Sequence, residues 1–272
     1  MNEKEIQERI RAGRDFMRPA VWDEDYMTDQ EMKKPQPPLV KETAGREIIS
    51  LPRNLEDLPL EGNFLQIVNR RQSHRVYTQD FMTLLQLSFL LWTTQGIKEI
   101  RGKRYATLRT VPCGGARHEF ETYLFIRRVE GVKPGYYQYL PMTHQLALLE
   151  EEENGEAFIT ESLEGQEWAA KASVIFYWSV VPYRAEWRYG MYAHRVALID
   201  AGYISQNLYL ACTALGLGGC AVGSLDEKLC NKAFGLDGSE EFMILAHPVG
   251  SVSEADLQAE KDFYAFLKEQ DL

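Results

Sequence analysis

Residues 191–215 restrict the fold more than any other stretch. Ala197, Ile204, Leu208, Ala211 and Leu215 recur along one helical stripe there, and Val196, Ile199, Tyr203, Leu210 and Ala214 along another. Side chains three and four apart share a helix face, so this segment is a helix apolar nearly all round, and such a helix must be buried. Gly216, Gly218 and Gly219 follow at once and suit the left-handed turn that ends a helix. The covering layer comes from strand-like segments. "FETYLFIRRV" (120–129) is one, "EGVKPGYYQYL" supplies a Gly/Pro turn into a second, and "QLALLEE" is a third, which together make an antiparallel meander. "ASVIFYWSVV" (172–181) is apolar throughout, as a central strand covered on both faces would be. "CAVGSL" and "FMILAHPVG" complete the set as two short buried strands around a small helix at 226–234. The fold class is α+β: a mainly antiparallel central sheet flanked by helices.

A further helix is expected over 79–94, with Thr78 as N-cap and Phe81, Leu84, Leu85, Leu91 and Trp92 at helical spacing. Residues 1–17 form a charged helix with a thin apolar stripe, which must dock to be stable. The prolines and weak periodicity of 18–62 suggest an extended arm over the surface. We therefore divide the chain into an N-terminal helix and arm (1–62), a central domain (63–250) and a C-terminal helix or arm (251–272). The acidic run Glu150–Glu153 is expected to be a solvated turn.

With 272 residues, 45% of them hydrophobic, the chain can bury a substantial core. A formal net charge of −10 excludes a general nucleic-acid or anionic-membrane binder, which needs excess Lys and Arg on one face. No secretion signal or 18-residue apolar window is present, so the expected location is the cytoplasm. Cys113, Cys212, Cys220 and Cys230 have no disulfide or zinc spacing and are expected to be free thiols; the five histidines are equally scattered, so no metal is expected.

Against that acidic background, "NRRQSHRVY" (69–77) gathers Arg70, Arg71, His74 and Arg75 around Ser73. Guanidinium groups bind phosphate bidentately and a serine hydroxyl adds a short donor, so the stretch suits a small anion; solvated arginines ahead of a helix are the plain alternative. In "RTVPCGGARHEFETY" (109–123), Pro112, Cys113, Gly114 and Gly115 precede a strand, and the glycines let the backbone approach a flat ligand or simply make a tight turn. Asp200 and Asn207, inside the apolar helix, are expected to bond a neighbouring loop. Cys113 would need a base to act as a nucleophile, and His118 is a faint candidate.

Together these stretches resemble the FMN-dependent nitroreductase superfamily, and within it the SagB-type branch that includes azoline oxidases of peptide biosynthesis. The likeness covers about residues 65–250, through "RRQSHRVY", "LLWTTQGI", "RTVPCGGARHEFETYLFI", "VEGVKPGYYQY", "WRYGMYAHRVALIDAGYISQNLYLACTALGLG" and "CAVGSLDE" in order. It implies a nitroreductase-like fold in an intertwined homodimer with FMN at the interface. Arg71 would meet the FMN phosphate, Gln72 and Ser73 the phosphate or ribityl chain, and Arg75 the N1/C2 edge of the isoalloxazine. Pro112, Cys113, Gly114 and Gly115 would reach the flavin from the partner subunit. Ala221, Val222, Gly223 and Ser224 would pass over one ring face. The implied activity is ping-pong transfer of hydride from NADH or NADPH through FMN to a small oxidised acceptor.

Three departures qualify the likeness. Cys113 replaces the branch's usual serine. No K-x-R pair follows "HPVG", although Lys261 or Lys268 could serve the phosphate instead. Arg188-Tyr189 stands where azoline oxidases have Lys-Tyr, and an arginine that stays protonated is a poor base. Tyr189 and Arg188 are therefore the catalytic candidates, Tyr189 as a proton donor. The alternatives are a SagB-type dehydrogenase of a peptide azoline or small molecule, and a flavin-binding subunit without turnover of its own.

Overall fold

In the computed structural model, which describes residues 1–18, 25–43, 47–255, 257, 258, 261, 262 and 265, the chain runs first through helix α1 (Glu3–Met17) and the short strand β1 (Ile48–Ser50). Helices α2 (Phe64–Arg70) and α3 (Leu84–Gln95) follow, then a two-stranded hairpin, β2 (Ile97–Arg101) and β3 (Ala106–Arg109). The meander is β4 (Phe120–Ile126), β5 (Gly135–Leu140) and β6 (Gln145–Glu151), after which come α4 (Glu156–Ser162) and β7 (Val174–Val180). Helices α5 (Pro182–Tyr189) and α6 (Ala193–Leu215), strand β8 (Leu217–Gly219), helix α7 (Glu227–Phe234) and strand β9 (Phe242–Ser251) complete the domain.

One seven-stranded sheet has the order β1-β6-β5-β4-β7-β9-β8, with every neighbouring pair antiparallel. The expected α+β architecture is therefore present. β7 lies between β4 and β9, and its alternation explains why all seven of its residues are apolar or small and buried. Val174, Phe176, Trp178 and Val180 enter the core shared with α3 and α6, while Ile175 and Tyr177 enter the core under α4 and α7. β4 divides in the same way, with Leu124 and Ile126 on one face and Tyr123 and Phe125 on the other.

Several local expectations are corrected. α3 begins at Leu84, because Thr83 and Gln86 make a reciprocal capping box there; Thr78 instead turns onto Asp80, its hydroxyl 2.7 Å from the carboxylate. Glu150 and Glu151 belong to β6, opposite Tyr136 and Gly135, and Lys133 sits 2.6 Å from Glu151. In "CAVGSL" only Val222 is bridged, to Ala246, and the strand forms earlier, at Leu217–Gly219. Only one side of α6 is buried: Ala197, Asp200, Ala201, Ile204, Leu208 and Ala211 face inward, whereas Leu198, Ile199 and Tyr203 are 56%, 43% and 44% exposed. No helix among the described residues is long and apolar enough to cross a membrane. All four cysteines are free.

Candidate functional site

α6 carries two separate groups of the singled-out residues, one near each end. Towards its C-terminal end, Tyr209 acts as a hub. Its hydroxyl accepts the Ala221 N–H at 2.8 Å and lies 2.9 Å from Ser73 Oγ, and its ring is 5.3 Å beneath the Arg71 guanidinium. The arginine-rich loop is tied to the sheet by His74 N–H donating to Gly219 O at 3.0 Å. That approach requires glycine at 218, where a Cβ would stand 2.8 Å from His74 Cβ. A cavity of about 310 Å³ opens beside the loop and is lined by Arg70, Gln72, His74 and Lys261. Lys261 thus lines the same cavity as the arginine-rich loop; Lys268 lies outside the described residues. Arg75 is exposed, its guanidinium 5.8 Å from the Trp168 ring. Val222 is fixed by its bridge, while Gly223 and Ser224 are exposed.

Near the other end, the 112–115 loop packs on α5 and α6. Gly115 has φ of 56°, and a Cβ there would come within 2.6 Å of Arg188 Cδ and 2.7 Å of the Tyr189 hydroxyl. At Gly114 a Cβ would meet Val196 Cγ1 at 2.4 Å. In this chain the two glycines allow the loop to approach its own helices closely. Arg188 donates to Tyr105 Oη at 3.0 Å and to Gln30 Oε1 at 3.2 Å, and its guanidinium is 5.7 Å from the Tyr189 ring. Pro112 is exposed and Cys113 half-buried. A cavity of about 1080 Å³ lies between the 36–42 arm, Tyr105 and Glu241 and shares Tyr105 with this cluster.

Behind the loop, Cys113, Glu119 and Asp200 converge, with one ligating atom from each within 4.8 Å of the others. Asp200 Oδ2 accepts the Gly114 N–H at 2.9 Å, as expected of a polar group bonding a loop, and Asn207 likewise donates to Thr93 O at 2.9 Å. The Cys113 thiol donates to Glu119 Oε2 at 3.3 Å and its sulfur receives the His118 N–H at 2.9 Å. Burial, with Asp200 beside it, raises Glu119 to about 7, and burial raises Asp200 as well. Burial and the two carboxylates push the Cys113 thiol far up, so it is no nucleophile; burial, aided by Arg109, holds His118 down to about 2 and keeps its ring neutral.

Within one chain the two groups do not meet. Asp200 and Tyr209 are nine residues apart, which is about 13 Å along the axis and half a revolution around it. Comparison with known proteins decides the family. The sequence model of the Nitroreductase family matches residues 68–251. The chain belongs to the nitroreductase family. A nitroreductase-named protein of Methanocaldococcus jannaschii is 31% identical over 202 residues, spanning 74% of this chain and 95% of that one. Among solved structures, a nitroreductase-named protein of Ralstonia eutropha superimposes with TM-score 0.63 at 23% identity, covering 81% of this chain and 98% of its own. A chain of the Escherichia coli microcin synthetase McbBCD complex, with truncated pro-MccB17 bound, gives TM-score 0.56 at 15% identity over 93% of this chain and 95% of its own. These two likenesses establish the shared nitroreductase fold.

Sequence reasoning missed Tyr209 and Glu119. Tyr209 is one more aromatic in an apolar helix, and only the return of the chain at 219–221 gives its hydroxyl a task. Glu119 looks like a solvated charge at the edge of a strand, yet it is fully buried.

Proposed function

We propose that this nitroreductase-family oxidoreductase uses FMN and works as a homodimer with two composite sites. The observation that carries the reading is the Tyr209 hub, which holds Arg71, Ser73 and the Ala221 N–H in one donor-rich corner beside the Arg70, Gln72, His74 and Lys261 cavity. The donor set fits a phosphate-bearing cofactor, because cations and short donors converge on one concave surface of an acidic protein. Bound there, FMN would supply two-electron chemistry, accepting hydride from NADH or NADPH and giving it to a small oxidised acceptor.

The chain's own residues bind and orient. Arg71, Gln72, Ser73 and Lys261 take the phosphate end. Arg75 and the 221–224 segment border the ring, where a fixed cation favours the anionic reduced form. Pro112, Cys113, Gly114 and Gly115 close the site from the partner subunit, which fits their separation from Tyr209 within one chain. The exposed Leu198, Ile199 and Tyr203 of α6 supply an apolar surface for that partner. Arg188, held by Tyr105 and Gln30, positions Tyr189 against the loop. A protonated arginine at this position favours acceptor reduction over azoline oxidation, because the latter needs a base.

The test is the visible spectrum of the purified protein, with FMN supplied, before and after anaerobic NADH and then NADPH. Bleaching of an oxidised-flavin spectrum is expected, and Arg71→Ala should lose bound flavin. No flavin uptake at excess FMN removes the reading. Flavin that neither nicotinamide reduces moves it to the dehydrogenase or binding-subunit alternative.

A further inference from the structure

We propose that His247 is a positioning residue for the phosphate end of the cofactor: its imidazole, set in the sheet beneath Tyr209 and Gly219, supports the two points to which the arginine-rich loop is tied. The inference rests on the FMN reading above and goes beyond it, since it gives the donor-rich corner a floor that itself touches no ligand.

His247 lies in β9 between Leu245 and Val249 and opposite Phe176 of β7, on the sheet face that α6 covers. Its ring centroid is 4.5 Å from that of Tyr209, with the two planes at 64°. The chain returning from α6 is laid along the same strand. Gly219 pairs with Val249, the Cys220 N–H donates to Pro248 O at 3.2 Å, and Val222 is bridged to Ala246. A Cβ on Gly219 would stand 2.7 Å from His247 Nε2, so the return passes against the imidazole. These two neighbours carry the loop. Ser73 Oγ lies 2.9 Å from the Tyr209 hydroxyl, the His74 N–H donates to Gly219 O, and the Arg71 guanidinium rests over the Tyr209 ring. Both ties therefore end on residues that touch one side chain.

The hydrogen bonding of the fold does not account for a histidine at this position. The ring is 0% exposed, and neither Nδ1 nor Nε2 has a hydrogen-bond partner among the described residues, which is a costly way to bury a polar ring. Burial lowers His247 to about 3, so the imidazole is neutral and carries a single N–H. An edge-to-face approach at 4.5 Å lets that N–H point into the π face of Tyr209, where it steadies the ring that Arg71 rests on. The competing partner is a buried water shared with Trp178 Nε1, which is likewise buried without a partner among the described residues and whose ring lies 6.3 Å from the imidazole. The Tyr209 face is the nearer of the two, and Gly219 already fills the space off Nε2.

The first experiment needs no flavin. With isotope-labelled histidine, nuclear magnetic resonance of the apoprotein should show a neutral His247 whose N–H proton is displaced upfield by the Tyr209 ring current, and Tyr209→Leu should remove the displacement. A His247 N–H at the ordinary hydrogen-bonded position overturns the ring contact and gives the site to water. In the second experiment FMN is titrated against the full chain by flavin fluorescence, with circular dichroism showing that each variant is folded. His247→Leu should weaken FMN binding about tenfold, the upper end of what one aromatic contact contributes. In a Tyr209→Leu background the same change should cost less than about threefold, because most of the effect of His247 passes through Tyr209. A residue that merely fills the core would alter unfolding and leave the affinity of the folded protein unchanged. Wild-type affinity in folded His247→Leu, or an equal loss in both backgrounds, therefore overturns the positioning role. A wild type that takes up no FMN overturns the cofactor reading but leaves the upfield N–H in place, so the two failures are told apart.

Discussion

Replacing Glu119 by glutamine should change how stability depends on pH, and the sign follows from burial. An unfolded glutamate titrates at about 4.3, whereas burial beside Asp200 raises Glu119 to about 7 in the folded chain. Between those values the folded protein keeps a proton that the unfolded chain has released. Wild-type stability therefore falls as pH rises through the window, is fully present below about 4.3, and stops changing from this cause above about 7. At 1.36 kcal/mol per unit, the integrated loss is about 4 kcal/mol. Glutamine imitates the protonated acid at every pH and keeps an oxygen to accept the Cys113 thiol. Urea unfolding should therefore find the two proteins nearly equal at pH 4.5 and Glu119→Gln more stable by about 4 kcal/mol at pH 8. A difference that stays constant across this range, or favours the wild type at high pH, refutes the argument that burial and a like charge hold Glu119 protonated.

Three other outcomes are expected. Tyr209→Phe leaves the Ala221 N–H and Ser73 Oγ without their shared partner, so unfolding free energy should drop by about 1–3 kcal/mol and FMN retention on gel filtration should fall. Gly115→Ala places a side chain at φ of 56° against Arg188 and Tyr189, and should cost roughly 1–3 kcal/mol in urea unfolding. Ile199→Glu puts a charge in the exposed apolar face of α6; if that face meets the second subunit, sedimentation should show monomer where the wild type is dimeric.

Elements whose pattern repeats along the chain were legible in the sequence. β7 could be read as central because every residue in it is apolar or small, which only a strand covered on both faces requires. α6 and α7 were legible from their periodicity and following glycines, and β5 and β6 from the Gly/Pro turn and their apolar runs. α5 was not, because eight residues with two arginines and a glutamate carry too little apolar period to stand out, and Pro182 at its first turn signals a helix start as readily as a loop. The basic loop was visible because four basic residues crowd nine positions of an acidic chain.

Local pattern was enough for the α+β class, the antiparallel meander, the long apolar helix and the place where positive charge gathers, since all of these are set by residues near one another in the chain. Tertiary structure alone decided that Tyr209 binds Ser73 to Ala221, that Gly114 and Gly115 yield to Val196, Arg188 and Tyr189, and that Glu119 meets Asp200. The physical reason is distance along the chain. A hydrogen bond between residues 136 apart, or a proton held by carboxylates from the edge of a strand and the middle of a helix, has no local pattern, because it exists only once the sheet and α6 are packed together.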